Sequence, residues 1–152
     1  IGTINGVFVD LEDANADIMA GFSSRGPNLA FDVIKPDISA PGVSIMAAAA
    51  DPDDYQFLSG TSMSSPHNAG AGALISAIRP DWTPYEIQSA LMMTSSTEML
   101  KEDGLTPADP FDRGAGRINL KKARDAALVL DETPANFFAS DPAAGGDPKT
   151  LN

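Results

Sequence analysis

Apolar positions fall in short runs over the first fifty residues and at helical spacing after residue 60. The runs "GVFVD" (6–10) and "ADIMAGFSS" (16–24) carry β-branched and aromatic residues, predicting two short strands. The second stops at a turn made by Gly26, Pro27 and Asn28. "FDVIKPDISAPGVSIMAAAA" (31–50) adds apolar segments around 33–34, Ile38 and 43–47, broken at Pro36 and at Pro41–Gly42. These read as buried on both faces. The acidic "DPDD" (51–54) predicts an exposed loop. Further on, Ala69, Gly70, Ala73, Leu74, Ala77 and Ile78 recur at helical spacing, though two glycines weaken the propensity, so this helix needs tertiary burial. "TPYE" is the clearest local signal: Thr83 as N-cap, Pro84 at the first helical position and Glu86 three residues after the cap, opening a helix to about Met93. "DRGAGRINL" (112–120) reads as a glycine turn and a short strand, and Asn119 caps a third helix over "LKKARDAALVL" (120–130). Residues 131–152 have little periodicity and many breakers, as in a linker or the start of a following domain. Strands followed by helices predict an α/β arrangement, but the N-terminal third lacks crossover helices.

At 152 residues with 43% hydrophobic content there is room for one domain with its own core. A formal charge of −11 sets the surface field against phosphate backbones and anionic lipid, so nucleic acid is not an expected partner. The absence of cysteine excludes disulfides, a thiol nucleophile and a thiolate zinc site, and leaves the redox compartment open. "IGTINGVFVD" has no basic, apolar and cleavable tripartite pattern, so no secretory signal is expected within these residues. "AGAGALISAI" is too short to span a bilayer, and no membrane insertion is expected.

The candidate chemistry lies in "SGTSMSSPHNAGAGAL" (59–74). A serine hydroxyl becomes a nucleophile when a base takes its proton and donors await the oxyanion. Here a glycine turn runs into a helix: Gly60 offers unusual backbone angles, and Ser62 sits where unpaired N–H groups point outward. Its own N–H is one candidate oxyanion donor. As a bare G-x-S this is more often a helix cap.

The longer string "GTSMSSPHNAG" resembles the nucleophile signature of the subtilisin-like serine proteases, G-T-S-M-[AS]-x-P-H-x-[AS]-G, with the family's serine falling on Ser62. "GFSSRGPN", "KPDISAPGVSI", "RPDWTPYEIQSALMMT" and "GAGRINLKKA" are similar in order and spacing to the family's flanking segments, over residues 18 to 130. "FSSRGPN" and "KPDISAPG" look most like larger subtilases with an inserted protease-associated domain, and the acidic tail looks like the approach to a C-terminal β-sandwich. The resemblance implies part of a three-layer α/β fold, a mostly parallel sheet with packed helices, in which residues 1–130 form the C-terminal part of a catalytic domain and the N-terminal half is absent. It implies a serine endopeptidase without a cofactor, acting on polypeptide substrate, and an extracellular or cell-envelope location. Leu58, Ser59, Gly60, Thr61 and Met63 would border the substrate cleft. Their plainer readings are a strand end for Leu58 and Ser59, and core packing for Met63.

The family's triad aspartate in D-[ST]-G, its histidine in H-G-T and its oxyanion asparagine in A-G-N do not occur in this sequence. His67 is no substitute, because five residues of helix place it roughly 140° around the axis from Ser62; a packed or hydrogen-bonded histidine is expected. Of the lysines, Lys35 alone is conceivable as a base, and desolvation would have to depress its pKa strongly. Asp51, Asp53 and Asp54 lack the spacing of a calcium loop, so no metal site is expected. Arg25 is read as pinning a turn through an acidic neighbour, and Met19, Met92 and Met93 as core. Three readings follow: a piece of an endopeptidase whose base lies outside these residues, a non-catalytic module that binds the N-terminal half of a catalytic domain or a second copy of this chain, and a self-sufficient hydrolase with an unusual base.

Overall fold

The computed structural model describes residues 16–28, 34–50, 54–147 and 149. Strands β1 (Ile45–Ala48) and β2 (Tyr55–Leu58) form an antiparallel hairpin in which Ile45 faces Leu58 and Ala48 faces Tyr55. Helix α1 (Thr61–Ile78) follows two residues later, then α2 (Pro84–Met93), the single turn α3 (Pro110–Arg113), α4 (Leu120–Arg124) and α5 (Pro134–Ser140). Helices α1, α2 and α4 pack on one another around Ala71, Ile75, Leu91 and Ala123, with Ile38, Trp82, Ile87 and Ile118 half-buried against them. Met19, Met99 and Ala108 make a second small core.

Local signals place the helices. At α2, Thr83 Oγ1 accepts from the Glu86 N–H at 3.2 Å and the Glu86 carboxylate accepts from the Thr83 N–H at 2.7 Å, the reciprocal pair expected from "TPYE". The same hydroxyl donates to Asp131 at 2.7 Å, so the cap also ties down the chain beyond α4. Thr83→Ala will cost about 1 kcal/mol, read as a lower urea midpoint with unchanged slope.

Several expectations change. The strand read in "GVFVD" lies outside the described residues. In "ADIMAGFSS", pairing is reduced to one parallel bridge from Ile18 to Leu100 before the chain turns. Among the described residues, parallel pairing otherwise survives only at the Ser39–Arg117 bridge, and the one ladder is antiparallel. The strand read after the glycine turn is likewise a pair of bridges at Arg117, set off by Gly114 and Gly116 at φ 65° and 138°. Within 34–50 the apolar segments are not buried on both faces: Ile34 is 59% exposed, Val43 55% and Met46 45%, because no second layer covers them among the described residues; Val33 lies outside those residues. The third helix stops at Arg124 rather than running to residue 130. Leu130 N–H donates to Ser89 Oγ at 2.9 Å and Asp131 accepts from Thr83, so the chain leaves the helix to cross α2. Met19 is core, whereas Met93 is 51% exposed. The tail, read as a linker or the start of a following domain, carries the short α5, capped by Thr133.

Candidate functional site

Ser62 is the second residue of α1 and is exposed. The first N–H groups of a helix have no intrahelical acceptor, so its own N–H is free to meet an anion. Its hydroxyl has no side-chain partner among the described residues, leaving the oxygen available but unactivated. Gly60 is the N-cap, at φ 161° and ψ 165°. This is extended backbone, so the turn does not use the angles reserved for glycine, contrary to the sequence reading.

What holds the turn is a clasp with the segment 40–44. Gly60 N–H donates to Gly42 C=O at 2.8 Å, Ser44 N–H to Ser59 Oγ at 2.8 Å, and Ser64 Oγ–H to Ala40 C=O at 2.9 Å. Ser62 is thus tied down on both sides. The approach is close enough that a Cβ on Gly42 would stand 2.9 Å from the Gly60 carbonyl oxygen and 3.2 Å from Ser64 Cβ. In the sequence Gly42 reads only as half of a Pro-Gly turn, and no local signal discloses the contact. Gly42→Val will destabilise by roughly 1–3 kcal/mol through overpacking, and Ser64→Ala by about 1 kcal/mol through loss of one hydrogen bond; thermal melts of the two variants check the order.

The other predicted residues fall around this turn. Leu58 ends β2 and is 44% exposed, Ser59 is committed to the clasp, Thr61 opens α1, and Met63 is half-buried with its sulfur beside Gly60. His67 Nδ1 lies 2.8 Å from the Met63 carbonyl oxygen, one turn back on its own helix, which is the hydrogen-bonded histidine expected. Lys35 Nζ is 2.6 Å from Asp37 with its side chain 47% exposed, so it lacks the desolvation a lysine base needs. Among the described residues no cluster of acidic and histidine side chains is placed to hold a metal. Asp51 and Asp53 lie outside those residues. Arg25 does pin its turn, through Glu102 and the buried Asp112.

A groove of about 1400 Å³ starts at Gly60 and Thr61, beside Ser62, and runs along α1 past Ser64, Ser65, Asn68 and Gly72. Ile38, Ile87, Leu91 and Met99 supply apolar wall. Its charged members are matched with each other, Lys35 with Asp37 and Arg117 with Asp17.

The subtilase family model, Peptidase S8, matches residues 2–125 and takes in the clasp, the serine turn and all three packed helices. The chain belongs to the subtilase family. Its described part is accordingly a partial α/β subtilisin-like fold, helices with a small sheet. Among curated subtilases, the chain is 43% identical over 140 residues to subtilisin-like protease SBT1.3 of Arabidopsis thaliana, covering 80% of this chain and 18% of that protein. It is 39% identical to SBT1.6 over 155 residues, 90% of this chain and 20% of that protein, and 47% identical to SBT3.16 over 121 residues, 74% and 16%. The chain thus spans about a fifth of the length of these relatives. No helix among the described residues is long and apolar enough to cross a membrane.

Proposed function

We propose that this chain is the nucleophile-bearing part of a subtilisin-type serine endopeptidase and is inert alone. The observation that carries this reading is Ser62: exposed in the second position of α1, clasped on both sides, within the subtilase match, and without a base among the described residues. In the intact enzyme Ser62 Oγ attacks the scissile carbonyl of a polypeptide, and its proton passes to an imidazole carried by another segment. The oxyanion rests on the Ser62 N–H and on a side-chain amide from that segment. The imidazolium then protonates the leaving amine, and water, activated by the same imidazole, releases the acyl group. Leu58, Ser59, Gly60, Thr61 and Met63 border the cleft. Residues 1–130 belong to the catalytic domain, 131–152 lead out of it, and the enzyme works outside the cell or in its envelope.

A second reading, a binding module that never cleaves, is favoured by the amount of apolar surface left open, including Tyr55 at 67% and Leu74 at 55% exposure. The two readings part under a fluorophosphonate probe. The expected outcome is no adduct on the chain alone and one adduct, mapped to Ser62, when an upstream segment bearing aspartate and histidine is added. An adduct on the isolated chain overturns its inertness, and none in the presence of a bound upstream segment overturns the endopeptidase reading.

A further inference from the structure

Ser89 and Met93 stand one turn apart on α2. They lie off the face of that helix that lines the groove, which is made by Pro84, Ile87, Gln88, Leu91 and Met92. The half-buried Ser89 hydroxyl is used twice: its oxygen accepts from the Leu130 N–H at 2.9 Å, and its proton is donated to the Met93 sulfur at 3.4 Å. A thioether is a weak acceptor, so the relay ends on its poorest link. Residues 128–133 form neither helix nor strand, and they are tied to α2 by this bond and by that from Thr83 to Asp131. Met93 is 51% exposed, whereas Met19 and Met99 are each 6% exposed.

We propose that Met93 is a modification site for hydrogen peroxide, and that its sulfoxide tightens the hold of α2 on residues 128–131. The sulfur lone pair attacks one peroxide oxygen. The S–O bond forms as the O–O bond breaks, and the second oxygen leaves as water; sulfur gives up two electrons and the peroxide takes them. The product exchanges a weak acceptor for a strongly polar S=O oxygen. The flexible side chain and its half-open surroundings let that oxygen come within hydrogen-bond reach of the Ser89 hydroxyl. A hydroxyl that donates more strongly is also a better acceptor, because successive hydrogen bonds polarise one another, so the gain passes on to the Leu130 N–H. Burial shields Met19 and Met99, in the second small core, from the same reaction. Sulfoxide reductases regenerate the thioether, which makes the change reversible. No step involves Ser62, so the inference stands apart from the endopeptidase reading.

The test treats the full chain with hydrogen peroxide, follows each methionine by peptide mapping, and follows the Leu130 amide by hydrogen exchange read by NMR. Met93 is expected to oxidise severalfold faster than Met19 and Met99. In the oxidised chain Leu130 exchange is expected to slow severalfold, while the Lys122 amide, bonded to Asn119, is unchanged. A methionine sulfoxide reductase is expected to restore the original rate. Met93→Leu keeps the bulk and lacks the sulfur, and peroxide is expected to leave its Leu130 exchange as it was; this separates Met93 from Met46, which is 45% exposed. Ser89→Ala is expected to oxidise at Met93 as readily as the parent and again to show no slowing. Oxidation of Met93 no faster than that of Met19 overturns the modification site. Unchanged or faster Leu130 exchange in the oxidised parent chain overturns the tightening, and so does slowing that persists in Met93→Leu or in Ser89→Ala.

Discussion

On the proposed reading, Ser62→Ala in the full-length protein will lower kcat for a peptide substrate by on the order of 10⁶-fold, the loss that follows removal of the serine in subtilisin. The loss is that large because the acyl-enzyme route closes altogether, leaving only binding and oxyanion donors to speed attack by water. Folding will be nearly untouched. Ser62 is exposed and its hydroxyl holds nothing among the described residues, so the melting temperature should move by no more than a surface substitution moves it, within about 0.5 kcal/mol. Peptide turnover and a thermal melt on the same preparation check both halves. A deep loss of stability, or turnover within a hundredfold of the parent, would remove Ser62 from the nucleophile's role.

Asp112→Ala will be the most damaging of the stability variants, at about 3 kcal/mol. The Asp112 side chain is 5% exposed and its carboxylate lies 3.0 Å from Arg25 Nη1 and 3.0 Å from Lys101 Nζ, and 2.9 Å from the Asp109 N–H it accepts from as the far half of the α3 capping box. Removing one partner of a buried ion pair costs roughly 3–5 kcal/mol. The low end applies, because Arg25 and Lys101 are 25% and 31% exposed and keep Glu102 and Asp109. Asp112→Asn preserves the cap acceptor and loses the charge, so it will cost less.

The same network sets an acid limit. Burial pushes the Asp112 carboxyl up, but the Asp109 N–H, Lys101 and Arg25 outweigh it and hold the group below the usual carboxylate range. Glu102 is lowered by its hydrogen bond from Arg25, and Asp103 falls to about 2 through the Thr106 hydroxyl and the Thr106 and Leu105 N–H groups. A carboxyl lowered by folding stabilises fully above its unfolded value and ceases to do so as pH falls through its folded value. Stability should therefore hold down to about pH 4 and decline from there towards pH 2. A melting-temperature series over that range checks it, with a shallower decline expected for Asp112→Asn.

Features decided within a few residues were legible in the sequence. The α2 cap, its proline and the Glu86 return bond needed only the spacing of "TPYE", since a capping box is closed by neighbours in the chain. Asn119 was legible for the same reason, its side chain accepting from Lys122 N–H at 3.1 Å. Ser62 is singled out as the proposed nucleophile by the length of "GTSMSSPHNAG", and His67 was placed on its own helix by the geometry of five residues.

Features that join distant residues were not. Asp112 meets Arg25 across the chain, Ser64 meets Ala40, and Gly42 is needed only because Gly60 comes to rest against it. The end of α4 is set by where residues 130 and 131 attach to α2, which the pattern in "LKKARDAALVL" does not record. The strands expected at 16–24 and after the glycine turn form only isolated bridges, and which apolar runs are covered depends on what lies opposite, since hydrophobic periodicity encodes a side chain's demand for burial without naming its neighbour. The sequence by itself therefore determined the family, the starts of α2 and α4, and the place of Ser62 in a family-like string. Only the tertiary structure decided the clasp around that serine, the buried carboxylate that anchors Arg25, and the open face of α1, because each depends on two segments arriving at the same place.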